Sequence, residues 1–122
     1  MRDQGLQNII AYRFRNPAMT EPLELLRAQL NGETGKLNWK ELERHFARGV
    51  VIRVAHGLDL VDVAARFARD DKDSVATWIH DGLIARASNE EALDWHQRQA
   101  TFWAVVVAPW VLVQDDSPAL NS

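Results

Sequence analysis

Glu41 and His45 stand four residues apart, which puts both side chains on one face of a helix, within reach of a single ion. His56, His80 and His96 bring no second pair at ligand spacing, so Glu41 and His45 read as a surface contact. Asp70-Asp71-Lys72-Asp73 gathers the oxygens that a hard cation takes. It lacks the glycine and distal glutamate of a calcium loop, and acidic residues at a helix start also cap free amides. Gly32-Glu33-Thr34-Gly35-Lys36 has the glycines and lysine of a phosphate loop but not the spacing. No Ser or Thr follows Lys36, and a helix precedes the loop. No nucleophile elbow surrounds Ser74 or Ser88, and there is no cysteine. No catalytic, cofactor-binding or metal-ligating residue is therefore assigned, and no cofactor is expected. General acid–base catalysis needs only two placed side chains, and nothing in the spacing argues for it.

The tryptophans carry the other signal. Five occur in 122 residues, and each can bury a large area. Trp39 and Trp78 fall at core positions of expected helices. Trp103 and Trp110 flank the strongest β pattern, residues 102–113. Alternation places Trp103, Val105 and Val107 on one face and Ala104, Val106 and Ala108 on the other. Both faces are apolar. Either the strand is fully buried, or one face meets a partner protein or a second copy of the chain. Trp103, Val105, Val106, Val107 and Trp110 are the interaction candidates, and a protein partner or a homodimer is the expected company.

Residues 58–86 have the shape of a helix-turn-helix unit entering a wing strand. Asp59 caps a helix bearing Leu60, Val63, Ala64 and Phe67. A turn at Asp70-Asp71 opens a second bearing Val75, Trp78 and Ile79, and Gly82 stops it. Ala65, Val75 and Trp78 have nearly the spacing that locks such a pair, although the usual turn glycine is missing. The charges oppose DNA reading: Asp70, Asp71, Asp73 and Asp81 surround the second helix against Lys72. Residues 39–86 hold eight basic and eight acidic side chains, which is no basic footprint. DNA binding stands as the alternative function, and a small enzyme or ligand binder as a third.

The remaining elements follow from caps and periodicity. Leu23, Leu26 and Leu30 repeat at helical spacing, with Thr20 as cap, Pro22 in the first turn, and Asn31-Gly32 at the end. Gly35 to Asn38 reads as a loop. Asn38 and Glu41 then have capping-box spacing before a helix with Trp39, Leu42 and Phe46 that stops at Gly49. Residues 50–54 are a β-branched strand, and Leu83 to Arg86 is extended. Ser88 and Glu91 form a second capping box, opening a helix to about Gln99. Pro109 belongs at a bulge, a bend or an edge. The expected class is α+β and winged-helix-like, with about five helices and a small three-stranded sheet. The expected organisation is an arm over residues 1–18, one domain over 19–114, and a disordered tail over 115–122.

Composition bounds the rest. The net charge is −3; Arg2, Arg13 and Arg15 against Asp3 make residues 1–18 +2, so the remainder is −5. An acidic body does not attract a polyanion, so no nucleic acid is expected. The apolar run at 102–113 is too short to cross a bilayer as a helix, and no membrane partner is expected. No secretion signal is visible at the start, and Met19 is the expected natural first residue; a native mass that includes Met1 would overturn this.

The stretch Leu30-Asn-Gly-Glu-Thr-Gly-Lys-Leu-Asn-Trp-Lys-Glu-Leu, the segment Leu58-Asp-Leu-Val-Asp-Val-Ala-Ala, and the ending Phe102-Trp-Ala-Val-Val-Val-Ala-Pro-Trp-Val-Leu-Val-Gln resemble a bacterial family of small proteins. That family is known only as a domain of unknown function. The resemblance covers about Leu23 to Gln114. It implies a bacterial, cytoplasmic protein and transfers no functional residue. The reading is a non-enzymatic protein-interaction or self-associating module.

Overall fold

The computed structural model describes residues 22–117. The expected arm, and the Thr20 cap, lie outside those residues. Of the expected tail, Asp115 to Ser117 are described: Arg98 donates to Asp115, and the Ser117 amide donates back to the same carboxylate.

Helix α1 (Leu23–Glu33) begins after Pro22 and buries Leu26 and Leu30. Strand β1 (Gly35–Asn38) follows and leads straight into α2 (Trp39–Ala47), which opens with the full capping box. The Asn38 side chain accepts from the Glu41 amide at 2.8 Å, and Glu41 accepts from the Asn38 amide at 3.0 Å. Gly49 takes a φ of +75°, which a side chain resists, and turns the chain from α2 into β2 (Val51–Val54). Asp59 caps α3 (Leu60–Ala68) through the amides of Val61 and Asp62. Asp70 adopts φ +57° at the turn, filling the left-handed position where glycine is usual, and Asp71 caps α4 (Lys72–His80). Strand β3 (Ile84–Arg86) follows. The Ser88–Glu91 capping box then opens α5 (Asn89–Arg98). The chain closes with β4 (Thr101–Val107) and β5 (Trp110–Asp115), joined across Ala108-Pro109.

The sheet corrects the sequence reading. It has five strands in the order β1-β4-β5-β2-β3, not three. Three neighbour pairs are antiparallel, and β2 runs parallel to β5 with Val51 opposite Val111. The expected loop at 35–38 is strand β1, because Lys36 and Leu37 pair with Trp103 and Phe102. The expected single strand at 102–113 is a hairpin, with Pro109 at the bend, where its missing amide removes no ladder bond.

Helices cover both faces. On one, α1, α3 and α4 close over Ile52, Val54, Ile84, Val105, Val107 and Leu112. On the other, α2 and α5 close over Val51, Phe102, Ala104, Val111 and Val113. A small sheet with helices on one face, as a winged helix would have, is not what these residues build. The helix pair α3–α4 is present, with Ala65 fully buried and Val75 and Trp78 half-buried against the same core.

Candidate interaction surface

The five interaction candidates separate. Val105 and Val107 are 1 % and 8 % exposed, inside the core beneath α1 and α3. Trp110 is half-buried against that core, with the Arg86 guanidinium 5.4 Å from its ring centre. Trp103 is 42 % exposed at the other end of β4. The Lys36 ammonium sits 4.9 Å from the Trp103 ring centre and pairs with Asp116. Val106 points to the opposite face and is 59 % exposed. The chain's own helices therefore cover most of both strand faces, and the open part of the second face is at Val106.

Val106 is not an isolated apolar residue. Its pairing partner across the hairpin is Val111, and Val111 pairs with Val51. The Ala87 amide donates to the Val51 carbonyl at 3.0 Å. Val106, Val111, Val51 and Ala87 thus form a row across β4, β5, β2 and the residue after β3, buried at Val111 and Val51 and exposed at Val106. Past the row, the end of α2 leaves an open cleft of about 290 Å³ lined by Phe46, Ala47, Gly49, Val51, Arg86, Ala87 and Asn89. Its lining is mostly apolar, with Arg86 and Asn89 as the polar residues. Arg44 lies exposed on α2, and Arg48 lies exposed at its C-cap. Their charge registers at His45, whose pKa is pushed below its ordinary value first by burial and then by these two guanidiniums.

The residues considered for chemistry are already occupied. Glu41 serves its capping box, and the His96 ring accepts from the Trp39 indole at 3.2 Å. Asp71 accepts from the Ser74 amide and hydroxyl and pairs with Arg66. Among the described residues, no group of three or more His, Asp or Glu is placed to hold a metal. A larger cleft of about 480 Å³ beside Trp103 is lined by Asn31, Thr34, Asp59, Leu60, Val61 and Gln114. Three of its polar residues are engaged within the fold: Asp59 caps α3 and pairs with Arg27, Thr34 donates to Leu30, and the Gln114 amide donates to Ala55 and Leu58.

Sequence reasoning placed Val106 on its face but did not single out the basic ridge of α2. That ridge is Lys40, Arg44 and the C-cap Arg48, at steps of four and exposed on the side of α2 away from buried Trp39 and Leu42.

A family model described as "Protein of unknown function (DUF2288)" matches residues 25–115. The NMR solution structure of PA1075 from Pseudomonas aeruginosa is similar to this chain, with 44% sequence identity and a TM-score of 0.69. The match covers 82% of this chain and 93% of that one. No curated protein matches.

Proposed function

The chain belongs to the DUF2288 family of proteins of unknown function, and we propose that it is a protein-interaction module that docks its partner at the Val106 end of the α2–α5 face. The single observation carrying this is Val106, 59 % exposed at the end of a row whose next two members, Val111 and Val51, are buried. Leu25, Ile79 and Leu93 are comparably exposed, but each stands on a helix surface, where lone apolar residues are ordinary. Val106 continues an apolar row toward a cleft, so a partner covering it would extend an existing core. In this reading the protein works in the cytoplasm, where a chain without cysteine suits the reducing conditions. Among the described residues, no helix is long and apolar enough to cross a membrane.

The test is a photo-crosslinking amino acid placed at position 106 in living bacteria, with position 79 on the opposite face as comparison. The expected outcome is a discrete adduct from 106 and none from 79. An adduct of twice the chain's mass would identify a second copy as the partner. Adducts from 79 alone would move the interface to α4 and sink the proposal.

A further inference from the structure

We propose that residues 6–15 of this same chain cover helix α4, laying Leu6, Ile9 and Ile10 against Val75, Trp78 and Ile79. Helices α1, α2, α3 and α5 each bury at least two side chains, and α4 buries none. Yet Val75, Trp78 and Ile79 stand at steps of three and four, so they form one apolar stripe. Val75 and Trp78 are half-buried on the core, and Ile79 is 57 % exposed. Ile79 by itself is an ordinary surface residue. A stripe left half-covered along a helix of nine residues is not ordinary, because a helix that short takes its stability from packing.

The direction of α1 brings the occupant to this stripe. Arg27 pairs with Asp59 and Asp62 at the start of α3, and Asn31 and Thr34 line a cleft with Leu60 and Val61. The end of α1 therefore lies at the start of α3. With the two helices packed along each other, the start of α1 lies toward the end of α3 and the turn into α4. Leu23 packs on the same core as Phe67, Val75 and Trp78. The chain ahead of Pro22 is thus delivered beside α4. Residues 16–21 span up to about 20 Å when extended, more than the length of α4, which is about 13 Å.

Residues 6–15 also have the matching chemistry. Leu6, Ile9 and Ile10 repeat the three-and-four spacing of the α4 stripe, and Asn16-Pro17 ends the pattern. Arg13 and Arg15 follow, within residues 1–18 of net charge +2, on a body of −5. Asp81, the C-cap of α4, stands about 60° round the helix from Trp78 and is in no ion pair among the described residues. A segment tethered beside its site docks at high effective concentration, an advantage that a separate partner of the same composition lacks. Residues 1–18 then have a use in the folded protein, against the expectation of Met19 as the first residue.

The chain has no cysteine, so a single one introduced by substitution gives a unique labelling site. Asn8→Cys, opposite Leu6, Ile9 and Ile10 on a helical projection, carries a nitroxide spin label on the full, isotope-labelled chain. The label is expected to broaden the amides of Val75, Trp78 and Ile79 and to leave those of α2 and α5, behind the sheet, sharp. Ile9→Asp combined with Ile10→Asp should abolish that broadening and speed amide hydrogen exchange in α4 about tenfold or more. Exchange in β4 and β5 reports whether the fold is kept; should the double variant unfold, Ile9→Gln alone gives the same comparison at smaller amplitude. Spin-labelled chains without isotope, mixed with isotope-labelled chains without the spin label, separate the occupants: broadening of α4 in that mixture means that a second copy covers it and overturns the inference. An α4 that stays sharp, broadening that falls at Val106 and spares α4, or a native chain that begins at Met19 overturns it as well. Crosslinking from position 106 depends on none of these outcomes, so the docking surface there stands or falls separately.

Discussion

His45 is a built-in reporter of the α2 ridge. Burial lowers its pKa, and the neighbouring Arg44 and Arg48 lower it further, because each disfavours the imidazolium. Arg48→Gln removes one of those charges and should raise the His45 pKa toward its ordinary 6.5. Titration of the imidazole resonances reads this directly, and an unchanged midpoint would mean that the guanidinium is screened at His45. A second residue prediction concerns the aromatic cluster behind α2. Trp39 packs against Phe46 and Trp95, and Trp95 meets Phe102 edge-on at 4.9 Å. Trp39 is 5 % exposed, and its indole N–H has the His96 ring nitrogen as acceptor. His96→Ala strands that donor beside the core. The expected cost is about 1–3 kcal/mol, although His96 itself lies at the surface. Urea unfolding measures it; a change within error would show that water replaces the ring.

At the scale of elements, the capping boxes hold the second face together. The Glu91 carboxylate accepts from the Ser88 amide with one oxygen and from Arg53 with the other, tying α5 to β2. Ser88→Ala should cost about 1 kcal/mol and also loosen Glu91 for that pairing. Asn38→Ala removes only a cap, so it should cost the same or less, and equilibrium unfolding of the two variants ranks them. Both boxes were legible because a cap is local: it needs one side chain and a residue three positions later. The α3–α4 turn was legible for the same reason. Strand β1 was not, since Gly35-Lys36-Leu37-Asn38 has little intrinsic β character and becomes a strand by pairing with β4 more than sixty residues away. The hairpin break between β4 and β5 was half legible, in Pro109, while the parallel β2–β5 pairing left no mark in either segment. That pairing decides which residue completes the Val106 row, so the candidate surface could be seen only in part: the strand and its faces from alternation, but neither Val51 nor Ala87 beside it.

Across the whole molecule, charge is partitioned, and the partition sets how stability follows pH. The carboxylates that do structural work lie mostly away from the α2 ridge. Burial pushes Asp59 up, but Arg27 and the amides of Asp62 and Val61 outweigh it and hold the group below its ordinary value. Asp71 is lowered by the Ser74 amide and hydroxyl and by Arg66. At Asp115, burial again acts upward, and the Ser117 amide and Arg98 outweigh it. Each of these three has a folded pKa below the unfolded 3.8. Below that value the unfolded chain binds more protons, so their stabilisation is present above it and is lost as pH falls toward the folded pKa values. His45 acts in the same direction in a higher window. Its folded pKa lies below 6.5, so the unfolded chain takes up protons first, and stability falls as pH drops through that value. Thermal unfolding against pH should therefore fall in two steps, a shallow one starting near 6.5 and a steeper one starting near 3.8. His45→Gln should remove the first step alone. Asp115→Asn should flatten the second while lowering stability at neutral pH, because Arg98 then loses one of its two carboxylate partners. An acid profile of Asp115→Asn that parallels the parent would show that this pair contributes nothing to the fold. The decline would then belong to the caps of α3 and α4, on the face opposite the ridge.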